Sequence, residues 1–246
     1  MSSLTGKVAL VTGGSRGMGA AIARSLAAEG ARVALTYVQS EDKARSVVAQ
    51  IEQAGGEALA IRADNQDPAA VASAVDAARE AFGPLDVLVN NAGIFDAGPF
   101  DEFSVADFDR TMNINVRAAF VATQRAAVDM PEEGRVITIG SNLATHVPYP
   151  GISLYSLSKA ALIGFSRALA RELGSRGIRV NVIHPGSTDT DMNPANGELA
   201  DAQRGTMAIP SYGDPNDVAS LVTWLAGPNA RSVTGAEVTI DGGTNA

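Results

Sequence analysis

Short β-branched runs alternate with longer, alanine-rich amphipathic runs along the whole chain, and this alternation is the strongest constraint on its fold. The first run, KVALVT at 7–12, is apolar almost throughout, as expected for a strand buried on both faces of a sheet. Glycines follow two of the amphipathic runs, at Gly30 and Gly55, where glycine commonly ends a helix. The pattern predicts strands over 7–12, 32–37, 58–62, 87–89, 135–139, 179–183 and 237–240, and helices over 17–29, 41–54, 68–82, 104–129, 155–175 and 215–226.

Strands and helices that alternate at this spacing imply right-handed crossovers and a parallel β-sheet with helices on both faces. The 246 residues contain no proline- or serine-rich linker and no repeat, so we predict a single doubly wound, Rossmann-type α/β domain over 1–246. We expect a cofactor half over about 1–140 and a catalytic and substrate half over about 141–246. Because such sheets bind ligands beyond the carboxyl ends of their strands, the loops after strands should carry the chemistry.

Composition restricts the classes of partner. The 27 acidic and 19 basic residues give a formal net charge of −8, which argues against a nucleic-acid-binding protein. The chain has no cysteine, which excludes disulfides, thiol nucleophiles and cysteine-bound metals. We find neither a secretory signal pattern nor an apolar run of about 20 residues, so we expect a cytoplasmic protein without a membrane partner.

A glycine-rich turn directly follows the first predicted strand and opens the first predicted helix. It reads TGGSRGMG at 12–19 and lacks the G-x-G-x-x-G spacing. Glycines let the backbone approach a pyrophosphate, and the free N–H groups of a helix N-terminus attract one. The alternative is a tight turn that binds no ligand. We predict a dinucleotide site that includes Gly13, Ser15, Arg16, Gly17, Met18 and Gly19.

The end of the second predicted strand bears on the choice between NAD(H) and NADP(H). A carboxylate there would bind the ribose 2′-hydroxyl of NAD and repel a 2′-phosphate, but the chain reads TYVQS at 36–40. Arg16 can reach the same corner with a planar donor group that suits phosphate, and hydroxyls of Tyr37 or Ser40 could assist. NADP(H) is therefore favoured over NAD(H), the alternative being that Arg16 is a solvated surface residue.

A tyrosine and a lysine stand four residues apart at the start of the helix predicted over 155–175. Tyr155 and Lys159 therefore lie on one face of it, and a neighbouring ammonium lowers the pKa of a phenol from about 10. Ser141 follows the strand predicted over 135–139, where its hydroxyl could bind a carbonyl oxygen. Asn115 lies within the helix predicted over 104–129, where asparagine is mildly unfavourable, so its presence there needs an explanation.

Together these residues resemble the classical branch of the short-chain dehydrogenase/reductase family, and the resemblance covers the whole chain. The turn at 12–19 matches its T-G-x-x-x-G-x-G pattern, the loop at 90–93 its N-N-A-G, and 241–243 its closing D-G-G. Pro185, Gly186 and Thr190 match P-G-x-x-x-T. The catalytic tetrad of the family is matched by Asn115, Ser141, Tyr155 and Lys159.

The resemblance implies reversible, NADPH-dependent reduction of a ketone to a secondary alcohol. Tyr155 would donate a proton to the ketone oxygen and Ser141 would polarise the carbonyl. Lys159 would lower the pKa of Tyr155 and hold the nicotinamide ribose, and Asn115 would anchor a water that links Lys159 to solvent. Besides the glycine turn, the implied cofactor contacts are Tyr37, Ser40, Asp64, Asn65, Asn91, Ala92, Gly93, Tyr155, Lys159, Pro185, Gly186, Thr188 and Thr190.

The substrate side is defined more loosely. The small and polar residues of 193–213 are typical of a lid that closes over substrate. Neither histidine has a second ligand close in sequence, so we predict no metal site, and His184 is expected to be structural. Candidate substrate contacts are Asn142, His146, Tyr149, Met192 and Tyr212.

Two other functions stay open. Related 3-oxoacyl-carrier-protein reductases dock an acidic partner on basic residues; Arg176 could supply one, but Asp129, Glu132 and Glu133 stand where others would be, which favours a free carbonyl substrate. An NADP(H)-binding sensor without turnover is the non-enzyme alternative, although all four catalytic residues are present. The family is commonly tetrameric, so we expect a homotetramer with 237–240 and the tail 244–246 as a candidate interface.

Overall fold

The computed structural model describes residues 3–246, in which seven strands form one parallel sheet. The strands lie in the order β3-β2-β1-β4-β5-β6-β7. The chain reverses its direction of travel across the sheet between β1 and β4, so the switch point, where doubly wound sheets bind ligands, lies between these two strands. The strands are β1 (Val8–Val11), β2 (Arg32–Tyr37), β3 (Ala58–Arg62), β4 (Val87–Asn90), β5 (Arg135–Ile139), β6 (Arg179–Pro185) and β7 (Glu237–Ile240).

Helices cover both faces of this sheet, because alternate strand residues point to opposite sides. In β1, Ala9 and Val11 join a core with helices α1, α2 and α8, whereas Val8 and Leu10 join a core with α3 and α5. No helix of residues 3–246 is long and apolar enough to cross a membrane. The helices are α1 (Gly17–Ala28), α2 (Glu41–Gln53), α3 (Pro68–Phe82), α4 (Val105–Met112), α5 (Ala118–Ala126), α6 (Ser153–Leu173), α7 (Ala200–Arg204) and α8 (Pro215–Ala226).

The predicted doubly wound, Rossmann-type α/β fold is confirmed. Helices α3 and α8 coincide with the predicted 68–82 and 215–226, and both begin with an aspartate followed by a proline. Asp67 and Asp214 each accept a backbone N–H two residues further on, at 2.8 Å in both cases. This capping, together with a proline at the first helical position, fixes the start of a helix locally, so these bounds were readable from the sequence.

The helix predicted over 104–129 is present from Val105 to Ala126, but it contains a π-helical turn that was not predicted and ends earlier than predicted. The chain forms α4, then a π-helical turn over Asn113–Arg117, then α5, which ends at Ala126. In the wide turn the Ala118 N–H donates to the Asn113 carbonyl, five residues back. Such turns are frequent at functional sites, and this one contains Asn115. The segment 193–213 also differs from a plain loop, because it contains the short helix α7.

Candidate active site

A cavity of about 430 Å³ opens at the carboxyl edge of the sheet, at the switch point between β1 and β4. It is bounded by the glycine turn, the end of β2, the loops after β3 and β4, and the loop after β6. Most of the predicted cofactor residues therefore lie around one cavity. The predicted residues that line it are Gly13, Ser15, Arg16, Gly17, Met18, Gly19, Tyr37, Ser40, Asp64, Asn65, Asn91, Ala92, Gly93, Thr190 and Met192.

The glycine turn owes its shape to glycines at positions that a side chain would disrupt. Gly13 and Gly17 have φ angles of +66° and +53°, which L-residues rarely adopt. A Cβ on Gly19 would collide with the Gly13 carbonyl oxygen and with the Asn91 side chain. Arg16 occupies the N-cap of α1 without a side-chain capping bond, and the first turn of α1 carries no acidic residue. The N–H groups at this helix end can therefore bind a ligand anion.

The loop after β4 is fastened to the glycine turn. The Asn91 side-chain amide donates to the carbonyls of Thr12, at 2.9 Å, and Gly13, at 3.1 Å. The Thr12 hydroxyl accepts the backbone N–H groups of Asn91 and Ala92, at 3.0 and 3.1 Å. These bonds join the turns after β1 and β4 into one rigid floor for the cavity.

Ser141 and Tyr155 lie together beside this floor. Ser141 is buried, and its hydroxyl accepts the Leu143 N–H at 3.2 Å. Burial raises the pKa of the Tyr155 phenol above its usual value. A side-chain hydrogen bond with Ser141 lowers that pKa, but its effect is smaller. The net rise is opposite to the direction expected from Lys159, and it keeps Tyr155 protonated at neutral pH.

Lys159 is almost completely enclosed, with 5% of its surface exposed. Its ammonium donates to the Ile139 carbonyl at 2.9 Å and lies 5.7 Å from the centre of the Tyr155 ring. Burial lowers the pKa of Lys159 from 10.5 to about 8. A Cβ on Gly93 would lie 3.5 Å from the Lys159 ammonium, so the loop after β4 brings this lysine to the edge of the cavity.

Asn115 acts as a structural link to these groups. Its Oδ1 accepts the Ile94 N–H at 2.8 Å, and its Nδ2 donates to the Ile94 carbonyl and to the Ser158 hydroxyl, both at 3.0 Å. Ser158 in turn donates to the Tyr155 carbonyl at 2.8 Å. The side-chain amide of Asn115 is thus bonded to protein groups. The family resemblance implied instead that this residue would anchor a water.

Behind Asn115 lies a second, enclosed cavity of about 10 Å³. It is lined by the polar side chains of Thr12, Asn65, Asn90, Asn115 and Thr138. The Asn90 Oδ1 and Thr138 Oγ1 atoms are buried and have no hydrogen-bond partner among residues 3–246. Polar lining of this volume suits one water molecule.

His184 reaches the site from β6 but contacts backbone, in line with the structural role expected for it. Its Nδ1 lies 2.8 Å from the Ser141 carbonyl and 3.2 Å from the Ser141 N–H, and its Nε2 lies 3.3 Å from the Glu237 carboxylate. A side chain at Gly140 would collide with the imidazole. His184 therefore sets the position of the Ser141 backbone. Nowhere in residues 3–246 do three or more histidine, aspartate or glutamate side chains group as a metal site would require.

The predicted substrate contacts divide into two groups. His146, Tyr149 and Met192 are exposed, and Met192 lines the large cavity. Asn142 is instead buried, with its amide 3.5 Å from the Asp241 carboxylate and its carbonyl bonded to Asn245, so its role as a substrate contact stays a prediction.

Tyr212 likewise has a protein partner. Its hydroxyl donates to Gln203 at 3.0 Å, and the Arg204 guanidinium lies 5.1 Å from the ring centre. Tyr212 therefore joins the two ends of the 193–213 segment through α7. That this segment closes as a lid stays a prediction.

The loop after β6 supports the site more than it lines it. A Cβ on Gly186 would lie 2.6 Å from the Asp241 side chain, and Thr188 is buried with its hydroxyl bonded to the Gly186 carbonyl at 3.1 Å. Of the predicted residues in this loop, Thr190 lines the large cavity, whereas Pro185, Gly186 and Thr188 do not. The P-G pair of this loop therefore packs directly against the D-G-G turn at 241–243.

Several residues that contact the site residues were not predicted from the sequence. The Phe95 ring packs edge-on against Tyr155, with ring centres 4.8 Å apart, and Ser158 connects Asn115 to Tyr155. The only available signals were an apolar residue close behind the N-N-A-G loop and a serine beside the lysine. Lys43 and Asp191 were also missed, because their contact, at 2.6 Å, joins segments 148 residues apart.

Comparison with known proteins agrees with this geometry. Residues 13–245 match a family model described as enoyl-(acyl carrier protein) reductase. The cyclic-di-GMP-binding biofilm dispersal mediator protein of Escherichia coli K12 is 46% identical over 242 residues, covering 98% of each chain. The 3beta-hydroxysteroid dehydrogenase 1 of Eggerthella lenta is 39% identical over 246 residues, covering 98% of this chain and 94% of the relative.

Solved structures agree with the fold even more closely. A short-chain dehydrogenase from Burkholderia cenocepacia J2315, in complex with NADP, superposes with a TM-score of 0.98 at 60% identity, covering 99% of this chain and 100% of that one. A blue fluorescent protein from a metagenomic library, in complex with NADPH, gives a TM-score of 0.98 at 54% identity with the same coverage.

Proposed function

Because this chain belongs to the short-chain dehydrogenase/reductase family, we propose that it reduces a ketone to a secondary alcohol with NADPH, in a reversible reaction. The observation that carries the proposal is the arrangement at one sheet edge. A dinucleotide-sized cavity with a glycine turn adjoins a cluster of Ser141, Tyr155 and Lys159, in which Ser141 and Lys159 are buried. Hydride transfer needs a cofactor site and a proton donor next to each other, and this edge provides both.

The residues around the cavity fit a nicotinamide dinucleotide phosphate. The helix end at Gly17 suits a pyrophosphate, and Arg16 borders the cavity close to Tyr37 and Ser40, where no carboxylate follows β2. The Burkholderia and metagenomic structures contain NADP and NADPH. These observations support NADP(H) over NAD(H) for this chain.

The bound nicotinamide supplies the hydride in reduction and accepts it in oxidation. Tyr155 supplies the proton: its raised pKa keeps the phenol protonated, so it can pass a proton to the carbonyl oxygen as negative charge develops there. Ser141 accepts the Leu143 N–H, and its hydroxyl hydrogen, which bonds to Tyr155 in this structure, would turn to the same oxygen when a carbonyl is bound. Lys159, held by the Ile139 carbonyl, faces the Tyr155 ring and can return a proton to the phenolate.

Asn115 enters this proposal as a positioning residue. Through Ser158 it holds the Tyr155 backbone, and through Ile94 it holds the loop after β4. We retain the predicted water path from Lys159 to solvent as a proposal. Both amide hydrogens of Asn115 are already donated to protein groups, so a water held by this residue would have to donate to one of its oxygen atoms.

Oxidation of NADPH, followed by its absorbance against a panel of aliphatic, aryl and 3-oxo-ester ketones, tests the proposal. Tyr155→Phe should lower kcat by about 10²–10⁴-fold because it removes the proton donor. Trp224→Phe is the control: this aromatic residue is 46% exposed on α8, which does not line the cavity, and its replacement should change kcat less than about threefold. Equal turnover by Tyr155→Phe and the parent would contradict the mechanism.

A carrier-protein substrate is the second candidate, and the family model's description favours it. The surface argues against it. Asp129 pairs with Arg79 at 2.8 Å, Glu133 pairs with Arg179 at 2.8 Å, and Arg176 is bonded to the Met130 carbonyl. A free ketone makes no use of this acidic surface, so Glu132→Lys should leave turnover of a small ketone unchanged. If the parent reduces 3-oxoacyl carrier protein far faster than the free thioester, the carrier-protein function replaces our first choice.

The Escherichia coli relative raises the third candidate, a nucleotide sensor that does not turn over its ligand. The cluster of Ser141, Tyr155 and the buried Lys159 argues for catalysis, since a sensor gains nothing from a lysine whose pKa burial lowers to about 8. The ketone panel separates the two: NADPH binding without turnover of any ketone by parent or variant would favour the sensor. Displacement of NADPH by cyclic-di-GMP would identify its ligand.

We also propose a cytoplasmic location and a homotetramer. The absence of cysteine fits a reducing compartment. The predicted interface at the tail is partly engaged within the chain, because Asn245 donates to Asn142 and Thr145. An alternative interface is offered by Phe120, which is 47% exposed and packs against Phe165, and by Leu157, which is 46% exposed. Light scattering of the parent and of Phe120→Ser tests which face is used.

A further inference from the structure

Three distant segments meet at the mouth of the cavity in one ion cluster. Lys43, in the first turn of α2, binds the Asp191 carboxylate at 2.6 Å, and Arg16 of the glycine turn lies 3.6 Å from the same oxygen. Asp191 follows directly on Thr190 in the loop after β6. Their side chains are about half exposed, at 54% for Arg16, 55% for Lys43 and 47% for Asp191.

We infer that Arg16 and Lys43 together form the binding site for the ribose 2′-phosphate, and that Asp191 competes with the phosphate for both cations. The inference deepens the proposed function, on which it rests. It adds two specificity-determining residues, one that favours the phosphorylated cofactor and one that opposes it.

The position of the cluster supports this assignment. Arg16 and Asp191 line the same cavity as Tyr37 and Ser40, at the end of β2 where a dinucleotide places its adenine ribose. Lys43 belongs to the helix that begins directly after this corner. The other basic residue at this end of α2, Arg45, is bonded to Glu41 at 2.5 Å and is not part of the cluster. Lys43 and Arg16 are thus the two cations that contact Asp191 at this corner.

The charges explain the competition. Two cations hold a carboxylate of charge −1, whereas a 2′-phosphate carries up to −2 and offers three oxygens, two of which can meet the guanidinium side by side. Lys43 and Arg16 lower the pKa of Asp191, so the carboxylate is ionised and competes at neutral pH. Exposed ion pairs are weak, so the phosphate can displace the carboxylate.

The displacement has a structural consequence. Asp191 lies between Thr190 and Met192, which both line the cavity, and Thr190 forms a tight backbone pair with Asn193 at 3.1–3.3 Å. The bond from Asp191 to Lys43 therefore ties the start of the 193–213 segment to α2. A phosphate that takes over Lys43 releases this tie, whereas NAD(H), which lacks the phosphate, leaves it in place.

Equilibrium binding to the full-length protein tests the inference without catalysis. The probes are NADPH and NADH, followed by nucleotide fluorescence, and the fragments 2′,5′-ADP and 5′-AMP in competition with them. Asp191→Asn should tighten NADPH and 2′,5′-ADP about threefold to tenfold and leave NADH and 5′-AMP unchanged. Lys43→Met should weaken the two phosphorylated probes by a similar factor and leave the others unchanged. In the double variant the gain from Asp191→Asn should shrink.

Matched controls separate specific binding of the 2′-phosphate from general effects of charge. Asp189→Asn removes a nearby carboxylate that accepts the Ala195 N–H, and Arg45→Ala removes a cation of the same helix. Both should change the ratio of NADPH to NADH affinity less than twofold. If they change it as much as Asp191→Asn and Lys43→Met, the effect is one of net charge and the inference is overturned.

The remaining outcomes also distinguish the inference from the proposed function. If the parent binds NADPH but Asp191→Asn and Lys43→Met leave its affinity unchanged, the two-cation site is overturned and the cofactor assignment stands. If Asp191→Asn weakens NADPH, the carboxylate assists binding and the competition is overturned. A parent that binds neither NADPH nor 2′,5′-ADP overturns both proposals.

Discussion

The two functional regions at the carboxyl edge of the sheet are built in opposite ways. Asn115, Ser141 and Lys159 are at most 6% exposed, and each is bonded to neighbouring protein groups. Arg16, which lines the large cavity, and Lys43 of α2 are about half exposed and share a single carboxylate. One region is fixed by the fold, and the other is held by weak, exchangeable ion pairs.

This difference indicates a division of labour. Proton transfer depends on tenths of an ångström, so the chain holds the catalytic cluster rigid and accepts the cost of burying a lysine. Recognition of the adenine end requires only attraction between exposed charges, which can rearrange when the ligand arrives. Substitutions in the first region should therefore change kcat and stability together, and those in the second should change Kd alone.

Lys159→Met should have the largest effect and should sharpen this contrast. Activity should fall at least about 10²-fold, whereas stability should rise, because burial holds the pKa of Lys159 near 8 instead of 10.5 and so penalises the charged form. After allowance for the Ile139 carbonyl left without its donor, we expect a gain of about 2 kcal/mol in unfolding free energy at pH 7.

The pH dependence follows from the same shift. Between pH 8 and 10.5 the unfolded chain binds a proton at Lys159 that the folded chain does not, so the parent gains stability as the pH rises through this window. The advantage of Lys159→Met in urea unfolding should therefore shrink towards pH 10.5. Arg171→Met, on the exposed side of α6, is the control. A Lys159→Met protein less stable than the parent at pH 7 would contradict the account.

Gly93→Ala should have an intermediate effect. The new Cβ would lie 3.3 Å from the Asn115 Oδ1, which must shift by a few tenths of an ångström, and it would place a methyl group in van der Waals contact with the Lys159 ammonium at 3.5 Å. We expect kcat to fall about tenfold, with a smaller change in stability. In Gly164→Ala, on the same helix as Tyr155, the methyl group meets nothing within 4 Å, so activity should persist and stability should rise by about 0.5–1 kcal/mol. Steady-state kinetics that place the two variants at equal activity would contradict a rigid catalytic cluster.

Asn245→Ala should have the smallest effect. Its side chain donates to the Asn142 carbonyl at 3.0 Å and to the Thr145 hydroxyl at 3.2 Å, which fastens the tail to the loop after Ser141. Loss of these bonds should lower kcat about twofold to fivefold and leave the affinity for NADPH unchanged. Asn216→Ala, whose amide bonds only to the nearby Asp214 side chain, is the control for losing an exposed amide. A selective loss of NADPH affinity would mean that the tail belongs to the other region.

The fold and most of the site were predictable because their determinants are local. The strand ends, the turn from Gly13 to Gly19 and the aspartate–proline starts of α3 and α8 are each specified by a few consecutive residues. The tetrad follows from family spacing, which also depends on order along the chain. Local patterns were sufficient to place these residues at one sheet edge.

The parts that failed depend on contacts between distant segments. The π-helical turn around Asn115 forms where the Asn115 amide bonds to Ile94 and Ser158. The pattern of apolar residues in 104–129 does not predict it. The burial that raises the pKa of Tyr155 requires the packed fold, so neighbouring charge alone gave the wrong direction. The burial of Asn142 likewise depends on distant partners, since Asp241 and Asn245 lie about one hundred residues away.

Single-turnover hydride transfer at saturating NADPH, in the parent and in Arg16→Ala, tests the division of labour most directly. The ketone of the panel that the parent reduces fastest serves as substrate. We predict that Arg16→Ala weakens NADPH about tenfold or more, whereas its hydride-transfer rate stays within about twofold of the parent rate. A rate that falls in proportion to the affinity, or an affinity that does not change, would contradict the account.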